Sequence, residues 1–395
     1  MAKRLKKRRD FLPIARPVLG KDEIGAVIQT IKKGWITTGP KSFEFENRFK
    51  KYIGAKHAIA LNSCTSALHL ALAALEVGKG DEVILSPMTF VSQANVIVHR
   101  GAKPVFADIR RETLNIDPDQ IIDKITDSTK AIILTHFAGQ PCEMDAIKKI
   151  ARDNNLPIIE DAAHALGAEW KGKKLGSDPE TITCFSFYPI KNITTAEGGM
   201  LTTGSSEIAN KVRILSLHGL SKGAWERYSG LGSWEYDVVA AGWKYNMPDI
   251  LAAMGIVQLR KISSFNSKRR TLASAYLKGL KKIPEVNAPM LIDKIKHAWQ
   301  IFPVILNTDK TKITRNRLIE ELKSLNIGTS VHFKPVHLFK YYRDKFGYTE
   351  GSFKISEEIS NKILSLPMFP GMTPGDVNYI LKALLWILSL KKYSL

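Results

Sequence analysis

The chain has 395 residues, 44% hydrophobic and 24% charged, which is ample for a large folded core and excludes a disordered chain. Its formal charge of +20 raises nucleic-acid binding, yet the one dense cationic cluster is Lys3, Arg4, Lys6, Lys7, Arg8 and Arg9, and no helix-turn-helix, zinc or base-stacking motif accompanies it. Three scattered cysteines, Cys64, Cys142 and Cys184, argue against a disulfide framework or metal knuckle, and with no signal peptide or run of about 18 apolar residues they make a cytoplasmic protein without a membrane span the expectation.

Residues 1–21 read as a basic, solvated N-terminal tail. Helical spacing over residues 22–33 breaks at Gly34, and Gly34, Gly39 and Pro40 mark a loop containing Trp35 and Thr38. From residue 57 onward, apolar runs alternate with helical patterns. The runs at 57–61, 82–85, 104–107, 131–135, 157–160, 184–187 and 200–203 read as strands of a mostly parallel seven-stranded sheet with helices on both faces, an α/β architecture. Asn62, Ser63, Cys64, Thr65 and Ser66 follow the first strand and open a helix. First-turn amides lack intrahelical partners and the positive end of the helix dipole lies there, so a phosphate fits against Thr65 and Ser66; such hydroxyls are also ordinary N-caps. Phe90 follows the second strand and, taken alone, is a core aromatic. His136 precedes Gly139 and Pro141 in a loop of shaped composition.

The run at 157–160 ends in Glu160 and Asp161, at the strand end where ligands of open α/β sheets gather. Lys191 follows a later strand among apolar and small neighbours, ahead of Glu197, Gly198 and Gly199. Desolvation there disfavours the ammonium form, and a neutral amine attacks aldehydes to form a Schiff base, pyridoxal phosphate (PLP) being the obvious aldehyde. The plainer alternative is a lysine whose stem packs on the core while its head reaches water. A carboxylate facing the pyridine nitrogen of PLP keeps that nitrogen protonated, which suits Asp161 if it shares the crevice of Lys191. His164 could donate a hydrogen bond to the ring hydroxyl or stack beside it, or serve only the core. A long helix over residues 248–282 then leads to strand-like residues 301–306 and helices near 316–325, 357–363 and 374–385. The expected division is a tail (1–21), a large cofactor-binding domain (22–260), and a linking helix with a small C-terminal α+β domain (261–395).

The pattern Glu160-Asp161-Ala162-Ala163-His164, then Phe185-Ser186, Lys191-Asn192-Ile193-Thr194 and Glu197-Gly198-Gly199, resembles the sugar-nucleotide aminotransferases of the DegT/DnrJ/EryC1/StrS family, most nearly the UDP-4-amino-4-deoxy-L-arabinose–oxoglutarate branch. The likeness runs from Gly34 to Pro370. It implies PLP-dependent transferase fold type I, the aspartate aminotransferase-like fold, with Lys191 as Schiff-base lysine and proton shuttle and Asp161 as the pyridine-nitrogen partner. It also implies a phosphate cup of Thr65, Ser66 and Ser186, Phe90 stacked on the cofactor ring, and Asn246 reaching the cofactor of the other subunit of a homodimer. The substrate pocket would draw on Thr38, His136, His218 and His332. L-glutamate would give up its amino group, leaving as 2-oxoglutarate, and a 4-keto nucleotide sugar would accept it in ping-pong order. A UDP- or GDP-linked 4-keto-6-deoxyhexose is an alternative acceptor to the UDP-4-keto-pentose, and the resemblance implies cell-surface polysaccharide or lipid A (lipopolysaccharide) sugar biosynthesis as the destination. Related sugar 3-dehydratases carry histidine in place of the lysine, so Lys191 favours amino transfer. A basic binding or regulatory protein that merely keeps the fold is the distant alternative.

Overall fold

The structure, a computed structural model, describes residues 5–221 and 235–390; Lys3 and Arg4 of the cationic cluster lie outside them. Helices α1 (Lys21–Lys32) and α2 (Pro40–Ile53) precede the sheet. Asp249 anchors the start of α2: its carboxylate accepts from the amides of Gly39, Lys41 and Ser42 and from the Ser42 hydroxyl at 2.8–2.9 Å. Three amides without intrahelical partners, in the positive field of a helix start, are thus satisfied by one buried anion.

The central sheet and its helices follow in the order β1 (His57–Leu61), α3 (Cys64–Ala74), β2 (Glu82–Leu85), α4 (Ser92–His99), β3 (Lys103–Phe106), α5 (Pro118–Ile122), β4 (Thr129–Thr135), α6 (Met144–Asp153) and β5 (Ile158–Asp161). A ribbon of β6 (Glu169–Trp170) and β7 (Lys173–Lys174) leads to β8 (Thr181–Ser186), β9 (Gly199–Thr203) and α7 (Ser206–Leu215). The seven strands lie in the order β1-β9-β8-β5-β4-β2-β3, with β9 antiparallel to both neighbours and the remaining pairs parallel. Their continuous apolar runs follow from cover on both faces. Ile133, Ile159 and Cys184 pack with α3 and α4, while Ile132, Leu134 and Ile158 pack with α6. Helix α3 is apolar nearly all round because it lies in that core, with ten of its eleven residues buried.

Helix α8 (Asp249–Leu280) runs unbroken through residue 260. Its first half supplies Ile256, Leu259, Ile262 and Phe265 to a cluster with Phe45, Phe49, Phe185 and Phe187; its second supplies Leu272, Tyr276 and Leu280 to the C-terminal core. Beyond it come β10 (Val286–Asn287), β11 (Ile295–Lys296), β12 (Phe302–Leu306), α9 (Arg315–Ser324), α10 (Lys340–Phe346), α11 (Lys354–Lys362), β13 (Ile363–Leu366) and α12 (Pro374–Leu388). Strands β10, β12 and β13 form an antiparallel sheet, and β11 pairs instead with β6.

The N-terminal stretch is not a free tail from residue 5 on. Leu12 is buried, its amide donates to Asn326 O and its carbonyl accepts from Gly328 N, and Arg8 pairs with Asp376 at 2.8 Å. One apolar residue with a backbone edge to bond to lays the stretch against the segment that follows α9, which the charge run alone hides. No helix among the described residues is long and apolar enough to cross a membrane.

Candidate active site

The carboxyl ends of β4, β5 and β8 open onto a cavity of ≈ 520 Å³, within the range usual for small-molecule sites. Lys191, Asp161, His164, Thr65, Ser186, Phe90 and His332 all line it. Two of the walls follow from strand alternation. Asp161 shares the α3 and α4 face of the sheet with Ile159, and Ser186 shares it with Cys184 and Ile182.

Asp161 is buried and held from three sides. Its Oδ1 accepts from Ala163 N at 2.9 Å and faces Cys64 Sγ at 3.9 Å, and its Oδ2 accepts from Gln93 Nε2 at 2.6 Å. Burial and the nearby Asp161 push the Cys64 thiol well above its ordinary pKa, so it stays protonated and unreactive. Lys191 is half-buried, on a loop pinned by its neighbours. Gln300 Nε2 donates to Ile190 O at 3.1 Å, and Asn192 Nδ2 donates to Asn266 Oδ1 at 2.8 Å and to Ala298 O at 3.1 Å. Burial lowers the pKa of the Lys191 amine; Asp161 and Cys64 pull it the other way without cancelling that effect.

The α3 start also borders the cavity, beside Asp161. Ser63 caps the helix by accepting from Ser66 N at 3.0 Å, and Ser63, Cys64 and Thr65 all line the space. Strand β9 begins hard against this turn: a Cβ at Gly199 would lie 2.4 Å from the Ser63 carbonyl carbon, so only glycine lets β9 pass. His164 is buried, with its ring stacked on Phe333 at a centroid distance of 6.0 Å. Burial, with Lys191 and His332 nearby, pushes its pKa well below the usual value, so the ring is neutral, and its Nδ1 has no protein partner. His332 bonds Ser365 Oγ through Nδ1 at 2.8 Å, and burial followed by Lys191 lowers its pKa to about 4.

Five anticipated residues lie elsewhere. His136 is fully buried on the far side of the sheet, where Nε2 donates to Glu160 Oε2 at 2.7 Å and Nδ1 accepts from Cys142 N at 3.0 Å. Both ring nitrogens are used, so nothing is left for a substrate. Ser66, on the inner side of α3, turns its hydroxyl to Asn62 Oδ1 at 2.5 Å, away from the cavity lining. The Thr38 hydroxyl donates to Met247 O at 2.7 Å and accepts from Asn246 Nδ2 at 2.5 Å, and neither residue lines this cavity. His218 is exposed, in a left-handed turn with φ 59°. Conversely, Gln93, Thr89, Thr135, Tyr188 and Phe333 were not singled out from the sequence. Gln93 lies in α4, Thr89 in the loop after β2 and Thr135 at the end of β4, so only the packing that brings these segments to Asp161 reveals them.

The chain matches the profile of the DegT/DnrJ/EryC1/StrS aminotransferase family over residues 17–385. It belongs to that family. Among curated members of similar sequence, an uncharacterized protein of Methanocaldococcus jannaschii is 52% identical over 382 residues, covering 97% of this chain and 99% of its own. The spore coat polysaccharide biosynthesis protein SpsC of Bacillus subtilis is 47% identical over 380 residues, covering 96% and 97%. The solved structure of a putative sugar aminotransferase, Spr1654 from Streptococcus pneumoniae in its PLP form, superposes with a TM-score of 0.87 at 32% identity, covering 95% of this chain and 97% of that one. As a DegT-family member the chain is a PLP-dependent sugar aminotransferase of fold type I, as the resemblance implied.

The residues present fit that cofactor. The cavity brings together a lysine of lowered pKa, a buried carboxylate with lone pairs to spare, a helix start for a phosphate, and a neutral imidazole. Among the described residues no group of three or more His, Cys, Asp or Glu is placed to hold a metal ion.

Proposed function

We propose that the protein transfers the amino group of L-glutamate to C4 of a 4-keto nucleotide sugar, working in the cytoplasm as a homodimer in the synthesis of a polysaccharide. The observation that carries this reading is that Lys191 and Asp161 line one cavity together with the start of α3. Its likeness to SpsC supports polysaccharide synthesis over lipid A modification as the destination. A UDP-linked 4-keto-pentose and a UDP- or GDP-linked 4-keto-6-deoxyhexose both suit this chemistry.

When bound, PLP supplies an aldehyde for the lysine and an electron-withdrawing ring. The protein's own residues do the rest. Lys191 Nζ, whose ammonium form is disfavoured by burial, takes the α-proton of the amino donor and passes it on rather than giving it back to the donor. Asp161 offers its remaining lone pairs to the ring nitrogen, while the α3 amides with Thr65 and Ser186 hold the phosphate. His164, a neutral ring lining the cavity, would stack beside the cofactor ring or donate to its hydroxyl. His332 lies on the substrate side, and Phe90, 59% exposed at the rim, is available to cover the ring.

Asn246 serves the partner's cofactor in this reading. Supporting it, Asn246 lies outside its own cavity, tethered to Thr38 and Lys244. Co-expressed Lys191→Ala and Asn246→Ala chains should then recover activity that neither has alone; absence of recovery would remove the shared site. Borohydride treatment of the PLP-loaded protein should label Lys191. Protein loaded with pyridoxamine phosphate should consume one member of a keto-sugar-nucleotide panel, and consumption of none would reject the acceptor class.

A further inference from the structure

Gln93 lies in α4 with its side chain wholly buried beneath the cavity. Its Nε2 donates to Asp161 Oδ2 at 2.6 Å and to Thr135 Oγ1 at 2.7 Å, and Thr135 in turn donates to Thr89 Oγ1 at 2.9 Å. Both amide hydrogens are thereby used. The Gln93 Oε1, by contrast, is buried without a partner. Turning the amide over would point that oxygen at a carboxylate oxygen and strand both hydrogens, so the charge on Asp161 selects the orientation seen here. A buried carbonyl left unpaired costs stability, and a group kept under such a cost is set by something other than packing.

We propose that Gln93 is a positioning residue that fixes the plane of the Asp161 carboxylate toward the cofactor ring, with Thr135 and Thr89 fixing Gln93 itself. The inference rests on the reading of Asp161 as the partner of the pyridine nitrogen. Ala163 N and Cys64 hold only Oδ1, the sulfur at 3.9 Å being a weak donor. Rotation about the carboxylate is therefore stopped at Oδ2 by Gln93. Asp161 spends one acceptor site of Oδ2 on this bond and keeps the other for the ring. The arrangement separates two tasks: the cavity-lining carboxylate carries the charge, and a residue behind it carries the aim.

The test uses full-length apoprotein of the wild type, Gln93→Met and Thr135→Val, titrated with PLP and followed by visible absorbance. Gln93→Met preserves bulk and should raise the PLP dissociation constant about tenfold, the worth of one hydrogen bond to a charged group, and displace the visible band. Its melting temperature should stay within about 3 °C of wild type, since an unpaired carbonyl leaves along with the two donors. Thr135→Val, which frees one end of the amide, should move the band in the same direction by less. A Gln93→Met protein with wild-type affinity and band overturns the proposal, as does one that is less stable but binds PLP with an unchanged band. If Gln93→Met does not fold, unchanged affinity and band in Thr135→Val overturn it instead. Wild-type protein that takes up no PLP would show the underlying reading of the site to be wrong; loaded wild type with indistinguishable variants would remove only the role of Gln93.

Discussion

Glu160 and Asp161 are adjacent on β5, both buried, and lead opposite lives because successive strand residues face opposite sides of the sheet. Glu160 looks toward α6, away from the cavity, and is held by three protein donors: His136, Thr181 and Thr183. Asp161 looks toward α3 and α4 and onto the cavity, with one strong donor on each oxygen and acceptor capacity left over. The pair of histidines repeats the contrast. His136 has both ring nitrogens engaged, whereas His164 keeps one buried nitrogen without a protein partner. A closed polar group holds the scaffold together; an open one, buried at the edge of a cavity, is fitted to a ligand.

The largest effect that sharpens this contrast is expected at Lys191. Lys191→Ala should lower turnover by roughly 10³-fold or more while the melting temperature changes little, because the proposed function gives the amine the parts of both nucleophile and proton carrier. Turnover near wild type would break the comparison at its functional end. Next comes the carboxylate exchange. Asp161→Asn should lower turnover by about 10²-fold with a smaller change in unfolding free energy, because Gln93 can turn its unpaired Oε1 toward the new amide. Glu160→Gln should do the reverse, costing about 1–3 kcal/mol in denaturant unfolding, since the new amide hydrogens meet only donors. If the two substitutions behave alike, the division between the faces is wrong.

A pH series probes the closed face. Burial raises the Glu160 pKa, but the hydrogen bonds from His136, Thr181 and Thr183 outweigh it and hold the carboxyl below its ordinary value of 4.5. The stability it contributes is therefore fully present above that value and is lost as pH falls through the lower folded-state pKa. Melting temperatures of wild type and Glu160→Gln should converge in acid below pH 4.5, and a constant gap would contradict the assignment. The smallest effect is expected at the rim. Phe90→Ala should weaken PLP binding by about 0.5–1.5 kcal/mol, read as a several-fold rise in the dissociation constant.

Much of the fold was legible because each strand is a short apolar run bounded by turn residues. The strands at 57–61 and 82–85 coincide with their runs, and the others shift by a few residues where polar ends such as Thr129 and Thr181 join the ladder. That Lys191 and Asp161 share one cavity was legible because a charged residue at the end of an apolar run has few cheap explanations. His136 misled for the same reason. Its buried partner stands 24 residues away on the next strand, a pairing that local composition does not carry.

The sequence by itself determined the alternation of strands and helices and picked out the lysine and the carboxylate proposed for the chemistry. Local chain preference and the cost of burying charge act residue by residue, so they can be read along a line. Only the tertiary structure decided which polar residues were spent. It closed His136 and Ser66 with partners of their own and left His164 open. It also put Gln93 behind Asp161, where α4 and β5, 68 residues apart in sequence, meet. Whether a buried polar group is satisfied depends on neighbours brought together by packing, and that follows from the three-dimensional arrangement alone.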